Sequence, residues 1–76
     1  MRLTVLYFAW LRERIGAPRD VVDTDAATVA DLVAELVTRS EGHALAFADV
    51  NSLRVAVDQD LAEFSTPLAD AHEVAF

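Results

Sequence analysis

The first strand is predicted by a strict alternation of side chains near the N-terminus. In residues 2–8, RLTVLYF, every second residue from Leu3 to Tyr7 is apolar and falls on one face of an extended chain. The other face begins polar and becomes apolar at Leu6 and Phe8. We therefore predict a strand whose first face enters the core, while Leu6 and Phe8 lie on the uncovered side.

A short helix and a second strand follow this first strand. Residues 9–15 suit a helix, because Gly16 can take the left-handed conformation that ends one and Pro18 stops its continuation. Residues 19–23, RDVVD, are then predicted to form a strand that pairs back on the first.

The principal helix is predicted over residues 29–39, with Thr28 opening a sequence like a capping box. Glu35 and Arg39 are spaced for an ion pair on its wet side, and Gly42 is expected just past its end. Its apolar stripe follows helical spacing. The stripe comprises Val29, Leu32, Val33, Leu36 and Val37.

The second half of the chain predicts shorter elements. They are an irregular stretch over 43–53 with a helical turn at 44–49, a strand over 54–58, a turn over 58–60, a short edge strand over 61–64 and, after a loop, a last strand beginning at 73–76. This order predicts one α+β domain over residues 1–76, with a mixed sheet over one main helix. The long connection through 24–53 leaves room for a crossover, so the strands on either side of the helix need not be antiparallel.

Charge narrows the classes of partner. The chain has 13 acidic residues against 6 arginines and no lysine, which gives a formal net charge of −7. Nucleic acids and anionic membranes both require a basic surface, so we expect the chain to bind neither. A basic protein partner is favoured by complementary fields. The alternative is that the charge only keeps a small protein soluble.

The amino-acid composition indicates a folded domain and the compartment in which it is expected. A hydrophobic content of 54% in 76 residues favours a packed core over disorder. The chain has no cysteine, no apolar run long enough to cross a membrane and no signal-peptide cleavage site, which together favour the cytoplasm.

Catalytic and metal-binding patterns are missing from the chain. His43 and His72 have no partner at ligand spacing, and two glycines cannot make a phosphate-binding loop. The acid pair Asp58 and Asp60 is more typical of a solvated turn than of a general acid and base. We expect no bound metal or cofactor and no catalysis by this chain alone.

An apolar surface is the remaining candidate site. Leu6, Phe8 and Trp10 place three large apolar groups near the end of the first strand, as protein-binding surfaces often do. The alternative is that residues 9–18 fold over and bury them.

Four stretches, in one order along the chain, resemble the small subunits of molybdopterin synthase, a branch of the ubiquitin-like β-grasp sulfur carriers. They are VLYFAWLRERIG at 5–16, TVADLVAEL at 28–36, VAVDQDL at 55–61 and PLADAHEVAF at 67–76. The resemblance implies a β-grasp fold and a carrier whose last strand leads into a Gly-Gly tail. In that family an adenylating enzyme activates the tail with ATP and a sulfur donor converts it to a thiocarboxylate. The large synthase subunit then receives it, with two copies of each subunit.

The resemblance also implies which residues bind partners. Phe8 and Leu61 would form the docking surface with Leu6, Phe76 would begin the exit strand, and Arg12 would lie at the rim. The large subunit and the adenylating enzyme would then compete for one surface.

Three positions depart from the family pattern near the last turn. Ala71 replaces a usual glycine, His72 a usual acid and Asp58 a frequent asparagine. If the turn keeps its shape, Ala71 would bear a left-handed backbone penalty of about 1 kcal/mol.

The Gly-Gly tail itself does not follow Phe76 in these 76 residues. Three explanations are compatible with the sequence: a tail follows in the native protein, the chain has been shortened, or the chain is a member without carrier activity. We favour the first, because Val74–Phe76 open an apolar strand. A carrier for another pathway, such as thiazole or sulfur-amino-acid synthesis, and a ubiquitin-like binding module are the alternative functions.

Overall fold

A computed structural model describes all residues from Met1 to Phe76. It contains five strands, three α-helices and a short 3₁₀ turn at Val50–Ser52. The elements are β1 (Arg2–Leu6), α1 (Ala9–Ile15), β2 (Arg19–Asp23), α2 (Val29–Leu36), α3 (Glu41–Ala46), β3 (Val55–Val57), β4 (Asp60–Ala62) and β5 (Glu73–Ala75). None of these helices has the length and apolar content needed to cross a membrane.

The strands form one mixed sheet in the order β2-β1-β5-β3-β4. β1 and β5 pair in parallel, and the other neighbouring strands pair antiparallel. β2 and β3 therefore run in the same direction, which the long connection between them allows. The arrangement confirms the predicted α+β class and the β-grasp fold, with α2 as the longest of the helices.

The core lies between the sheet and the helices. Leu3, Val5 and Tyr7 are at most 1% exposed, which confirms the predicted inner face of β1. Val29, Leu32 and the rest of the predicted α2 stripe pack against them, with Val37 only half-buried. The amphipathic periods of one strand and one helix thus place seven of the 17 buried apolar residues of the core.

The start of α2 agrees with the sequence and its end does not. Thr28 caps the helix, since its hydroxyl accepts a hydrogen bond from the Asp31 amide. The helix ends at Leu36, three residues before the predicted end at 39. The predicted Glu35–Arg39 ion pair is wrong, because the helix that would have aligned the two side chains stops between them. The carboxylate of Glu35 instead accepts a hydrogen bond from Thr24.

α3 begins earlier than the predicted turn at 44–49. Ser40 caps it by accepting a hydrogen bond from the His43 amide at 3.1 Å. Gly42 was expected past the end of the preceding helix, but it lies in the first turn of α3. A Cβ at this position would lie 2.5 Å from the Arg14 carbonyl oxygen. The absence of a side chain at Gly42 therefore allows α3 to pack closely on α1.

The turn between β3 and β4 confirms the prediction over 58–60. Asp58 and Gln59 have φ values of 49° and 72°, the positive pair that a two-residue hairpin turn requires. The carboxylate of Asp58 accepts hydrogen bonds from the amides of His72 and Glu73 at 2.8 and 2.9 Å. It therefore joins this hairpin to the start of β5, a role that its interpretation as a solvated turn residue did not include.

The expectation of strain at Ala71 is wrong. The left-handed residue of that turn is Asp70, with φ 62°, and aspartate tolerates this conformation better than most residues. Ala71 is 5% exposed and belongs to the core. Its small side chain is therefore explained by packing.

Candidate functional site

An apolar groove crosses the uncovered face of the sheet near the ends of β1 and β5. It encloses about 230 Å³ and is apolar except for Arg54. The side chains that line it include Phe8, Leu61 and Phe76 together with Val55, Ala56 and Ala75. We call this surface the sheet groove.

Phe8 stands at the junction of β1 and α1 with 56% of its surface exposed. Its amide donates a hydrogen bond to the Phe76 carbonyl at 3.0 Å, which fixes the backbone there. The next residue, Ala9, has φ 52°, a left-handed conformation that costs an alanine about 1 kcal/mol or more. Local strain of this kind concentrates at functional sites, where the surrounding structure maintains it.

Phe76 lines the sheet groove and also contacts the core. Its amide donates to the Leu6 carbonyl at 2.9 Å, so the parallel ladder between β1 and β5 continues through this residue. The side chain is 7% exposed and meets the ring of Phe47 edge-on, with the centroids 5.0 Å apart. Phe76 therefore joins the sheet groove to the core and directs the backbone out of the fold beside Phe8.

Leu61 is the most exposed large apolar residue, at 81%. It lies in β4 opposite Ala56 of β3, on a short edge strand whose position is set by the hairpin turn. A second hollow of about 450 Å³ lies on its other side, with Val50, Leu53 and Phe64 among its walls. Leu61 thus projects between two concave surfaces.

The predicted site residues are only partly brought together. Phe8, Leu61 and Phe76 line the same groove. Leu6 is half-buried in β1 and does not line it, although its carbonyl holds Phe76. Arg12 lies on the exposed side of α1 and lines a different hollow. Their roles in binding stay predictions.

Arg54 is a site residue that the sequence analysis missed. It lines both the sheet groove and the hollow beyond Leu61. Arg54 is the only arginine after Arg39 and directly precedes β3, but no sequence motif connects it with the groove. In a chain with a net charge of −7, it places one cation beside an apolar surface.

A buried polar cluster supports the groove from within the core. Oδ2 of Asp20 accepts a hydrogen bond from the Tyr7 hydroxyl at 2.7 Å and lies 2.8 Å from Nε2 of His43. Burial and then the contact with Asp20 raise the pKa of Tyr7 above its ordinary value. Tyr7 and His43 meet edge-on, and Tyr7 also contacts Phe47, which supports Phe76. The cluster therefore connects β2 and α3 to the base of the groove.

The ionisation of Asp20 follows from these contacts. Burial alone would raise the pKa of its carboxyl, but the hydrogen bonds from His43 and Tyr7, with Arg39 nearby, outweigh burial. Together they hold the pKa of Asp20 below its ordinary value. The sheet groove itself offers apolar side chains and the single guanidinium of Arg54.

This chain is similar to known proteins both in its sequence and in its fold. A family model described as the ThiS family matches residues 5–76. The molybdopterin synthase sulfur carrier subunit of Escherichia coli strain K12 is 40% identical over 74 residues, covering 97% of this chain and 90% of that protein.

Two solved structures share the fold. SAMP1 from Haloferax volcanii has a TM-score of 0.74 with 27% identity, covering 99% of this chain and 91% of that one. The protein described as molybdopterin converting factor, subunit 1, from Pyrococcus furiosus also has a TM-score of 0.74. It is 24% identical, and the match covers 99% of this chain and 93% of that one.

Proposed function

This chain belongs to the ThiS family, and we propose that it is the sulfur carrier subunit of a molybdopterin synthase. The observation that carries the proposal is the 40% identity to a sulfur carrier subunit of that enzyme across 97% of the chain. The sheet groove supports it, because a carrier that performs no catalysis itself needs a surface for docking enzymes.

The proposed chemistry requires a Gly-Gly tail beyond Phe76, as the family resemblance implies. A free carboxylate is a poor electrophile, so its oxygen first attacks the α-phosphate of ATP and releases pyrophosphate. The outer sulfur of a persulfide on a donor protein then attacks the acyl carbon of the adenylate and displaces AMP, which gives an acyl disulfide. A thiol reductant cleaves the S–S bond of that disulfide, which leaves a thiocarboxylate on the carrier and a thiol on the donor. Glycine suits such a tail because it lacks a side chain and threads a narrow channel.

The residues of this chain provide the surface on which partners dock and set the direction in which the tail leaves the domain. Phe8 and Leu61 present apolar contacts, and Phe76 fixes where the tail leaves the sheet. Apolar residues set in concave surroundings are typical centres of protein interfaces. The large synthase subunit and the adenylating enzyme would use the same groove, so only one could bind at a time. The net charge of −7 favours a basic rim on both partners.

A second candidate is a sulfur carrier for another pathway. The family model that matches residues 5–76 is described only as the ThiS family, and SAMP1 is as similar in fold as the molybdopterin converting factor. The fold and groove would serve either pathway, and the partners would decide between them.

The test begins with the full-length protein from its native source. Incubation with its adenylating enzyme, ATP and a sulfur donor should raise the intact mass by the exchange of one oxygen for sulfur. Adding the large subunit and the pterin precursor should then produce the dithiolene and return the carrier mass to its starting value. A carrier that is loaded but gives no dithiolene would favour the second pathway. A carrier that cannot be loaded would contradict both.

A further inference from the structure

The outer edge of β2 is open for pairing. Along its inner edge, the Tyr7 amide donates to the Pro18 carbonyl at 2.9 Å and the Thr24 amide donates to the Met1 carbonyl at 2.8 Å. Because antiparallel bonding alternates along a strand, the even-numbered residues between them also face β1. The odd-numbered residues of β2 therefore direct their N–H and C=O groups away from the sheet.

Those outward groups belong to Arg19, Val21 and Asp23. No hydrogen bond from elsewhere in the chain reaches their backbone atoms. Their side chains are exposed, and Val21 is 55% exposed, an unusual fraction for a valine in a strand. This edge consists of a row of unpaired backbone groups beside an exposed apolar side chain.

β2 has only one of the usual protections of a free edge, which is its charged side chains at Arg19, Asp20 and Asp23. Natural edge strands are commonly protected by such charges, by proline, by a bulge or by very short length. β2 has no proline or lysine within it, its register with β1 is continuous, and its five residues exceed the three of the opposite edge strand, β4. Pro18 does not block the edge, since the position of its missing N–H faces β1.

The side chains of this edge are complementary to those of the same edge in a second copy of the chain. In an antiparallel pair centred on Val21, each Arg19 would lie opposite Asp23 of the second copy, and the two Val21 side chains would meet at the centre. The pairs Arg19–Asp23, Val21–Val21 and Asp23–Arg19 would all be hydrogen-bonded pairs, because these residues are the ones with outward backbone groups. Opposite charges and apolar contacts in directly opposed positions stabilise antiparallel pairs.

We propose that the outer edge of β2 pairs with the same edge of a second copy of this chain, antiparallel and centred on Val21, to form a symmetric dimer. A shift by one residue would oppose outward groups to inward ones and remove the hydrogen bonds. A shift by two would place Asp23 opposite Val21 and lose the central contact. The register centred on Val21 therefore has no close competitor.

The dimer leaves the sheet groove free. Its twofold axis is perpendicular to the sheet, so the two sheets would join into one of ten strands with both grooves on the same face. The proposal therefore does not rest on the proposed function and does not conflict with it. The contact area is small and each chain has a net charge of −7, so we expect a weak dimer, with a dissociation constant on the order of 100 µM.

Charge reversal provides the first test, by sedimentation equilibrium of the full chain. Arg19→Asp would oppose acids across the edge and Asp23→Arg would oppose arginines, so each variant alone should associate at least tenfold more weakly than the wild type. Mixed together, the two variants restore both opposite pairs and should form a heterodimer of wild-type affinity. Circular dichroism checks that each variant folds.

Hydrogen exchange of the unmodified protein provides the second test. The amides of Arg19, Val21 and Asp23 should exchange more slowly as protein concentration rises, while those of Asp20 and Val22 should not change. A wild type that stays monomeric well above the expected dissociation constant would overturn the proposal. Association that is abolished by Leu61→Asp and unaffected by the charge reversals would also overturn it, and would place the contact at the sheet groove.

Discussion

Nε2 of His43 lies 2.8 Å from Oδ2 of Asp20, which joins the first turn of α3 to the edge strand β2. The other ring nitrogen, Nδ1, lies 2.7 Å from the hydroxyl of Ser40, the residue that caps α3. Both ring nitrogens of this imidazole therefore have a hydrogen-bond partner, and the side chain is only 8% exposed. α3 depends on this contact, since a helix of six residues has little stability of its own.

Removing the charge of Asp20 should weaken the fold. Asp20→Asn keeps the shape but loses the ionised acceptor shared by Tyr7 and His43, and we expect a loss of about 1–3 kcal/mol in the free energy of unfolding at neutral pH. Urea denaturation measures this loss. Asp25→Asn, at an exposed position without a side-chain hydrogen bond, serves as the control and should change little.

The same residue should make stability depend on pH in acid. The pKa of Asp20 is held below its ordinary value in the folded chain, so its contribution is complete above the unfolded pKa of about 4. It is lost as the pH falls through the lower folded value. The stability of Asp20→Asn should therefore fall less steeply than that of the wild type over this range. Parallel curves for the two proteins would contradict the assignment.

Gly42→Ala should destabilise the protein, against the usual trend. Inside a helix, alanine is favoured over glycine by about 1 kcal/mol. Here the added Cβ would meet the Arg14 carbonyl oxygen at 2.5 Å, and a backbone atom cannot move aside cheaply. We expect a net loss of about 1–3 kcal/mol, measured by thermal or urea unfolding.

Gly16→Ala provides a comparison for that experiment. Gly16 has φ 87° with nothing within 4 Å of an added Cβ, so its cost of about 1 kcal/mol would come from the backbone alone. A stabilising effect of Gly42→Ala would show that α1 and α3 can separate without penalty, and would contradict the close packing.

Asp58 should hold the β3–β4 hairpin in place through its two backbone hydrogen bonds. Asp58→Asn keeps an acceptor and tolerates positive φ, so its melting temperature should stay closer to the wild type than that of Asp58→Ala. The amides of His72 and Glu73 should exchange faster in Asp58→Ala.

Low pH should loosen this hairpin in the same way as the substitution Asp58→Ala. The hydrogen bonds from His72 and Glu73 lower the pKa of the Asp58 carboxyl, so the contacts strengthen its ionised form. They should be complete above the ordinary pKa of an aspartate and weaken as the pH falls through the lowered one. If amide exchange at His72 and Glu73, corrected for its intrinsic pH dependence, shows no such change, Asp58 does not control the hairpin.

Phe8→Ala should weaken docking of the large synthase subunit by about 2–4 kcal/mol if Phe8 is a central contact of the interface. Isothermal titration calorimetry measures the change. Leu45→Ala is a matched control, because Leu45 is 58% exposed, compared with 56% for Phe8, and does not line the sheet groove. Equal affinity of Phe8→Ala and the wild type would remove Phe8 from the interface.

Periodic elements were predictable from the sequence because a single rule governs each of them. The alternation through Leu3 and Tyr7 defined β1, and the stripe beginning at Val29 defined α2. Phe8 and Leu61 could be placed on one surface only through the family resemblance, since no local pattern relates two positions so far apart in the chain. The groove itself depends on the parallel pairing of β1 with β5.

The missed features are those that depend on tertiary contacts. Glycine is typical of the residue just after a helix, and only the close approach of the Arg14 carbonyl explains why Gly42 lies inside α3. Arg39 was assigned to Glu35 by spacing, but it lies 3.8 Å from Asp20 on another element. Arg54 has no sequence motif that marks it as a wall of the groove. In each case the partner is distant in the chain, and local propensity carries no information about it.

The position of β5 has a mechanical consequence. β5 lies between β1 and β3, and its ladder with β1 extends to Phe76 through hydrogen bonds on both its amide and its carbonyl. A pull on the backbone at Phe76 along the strand would load both ladders in shear, so that several hydrogen bonds must break together instead of one after another. A partner that draws this end of the chain into a channel can therefore apply considerable tension before the domain yields.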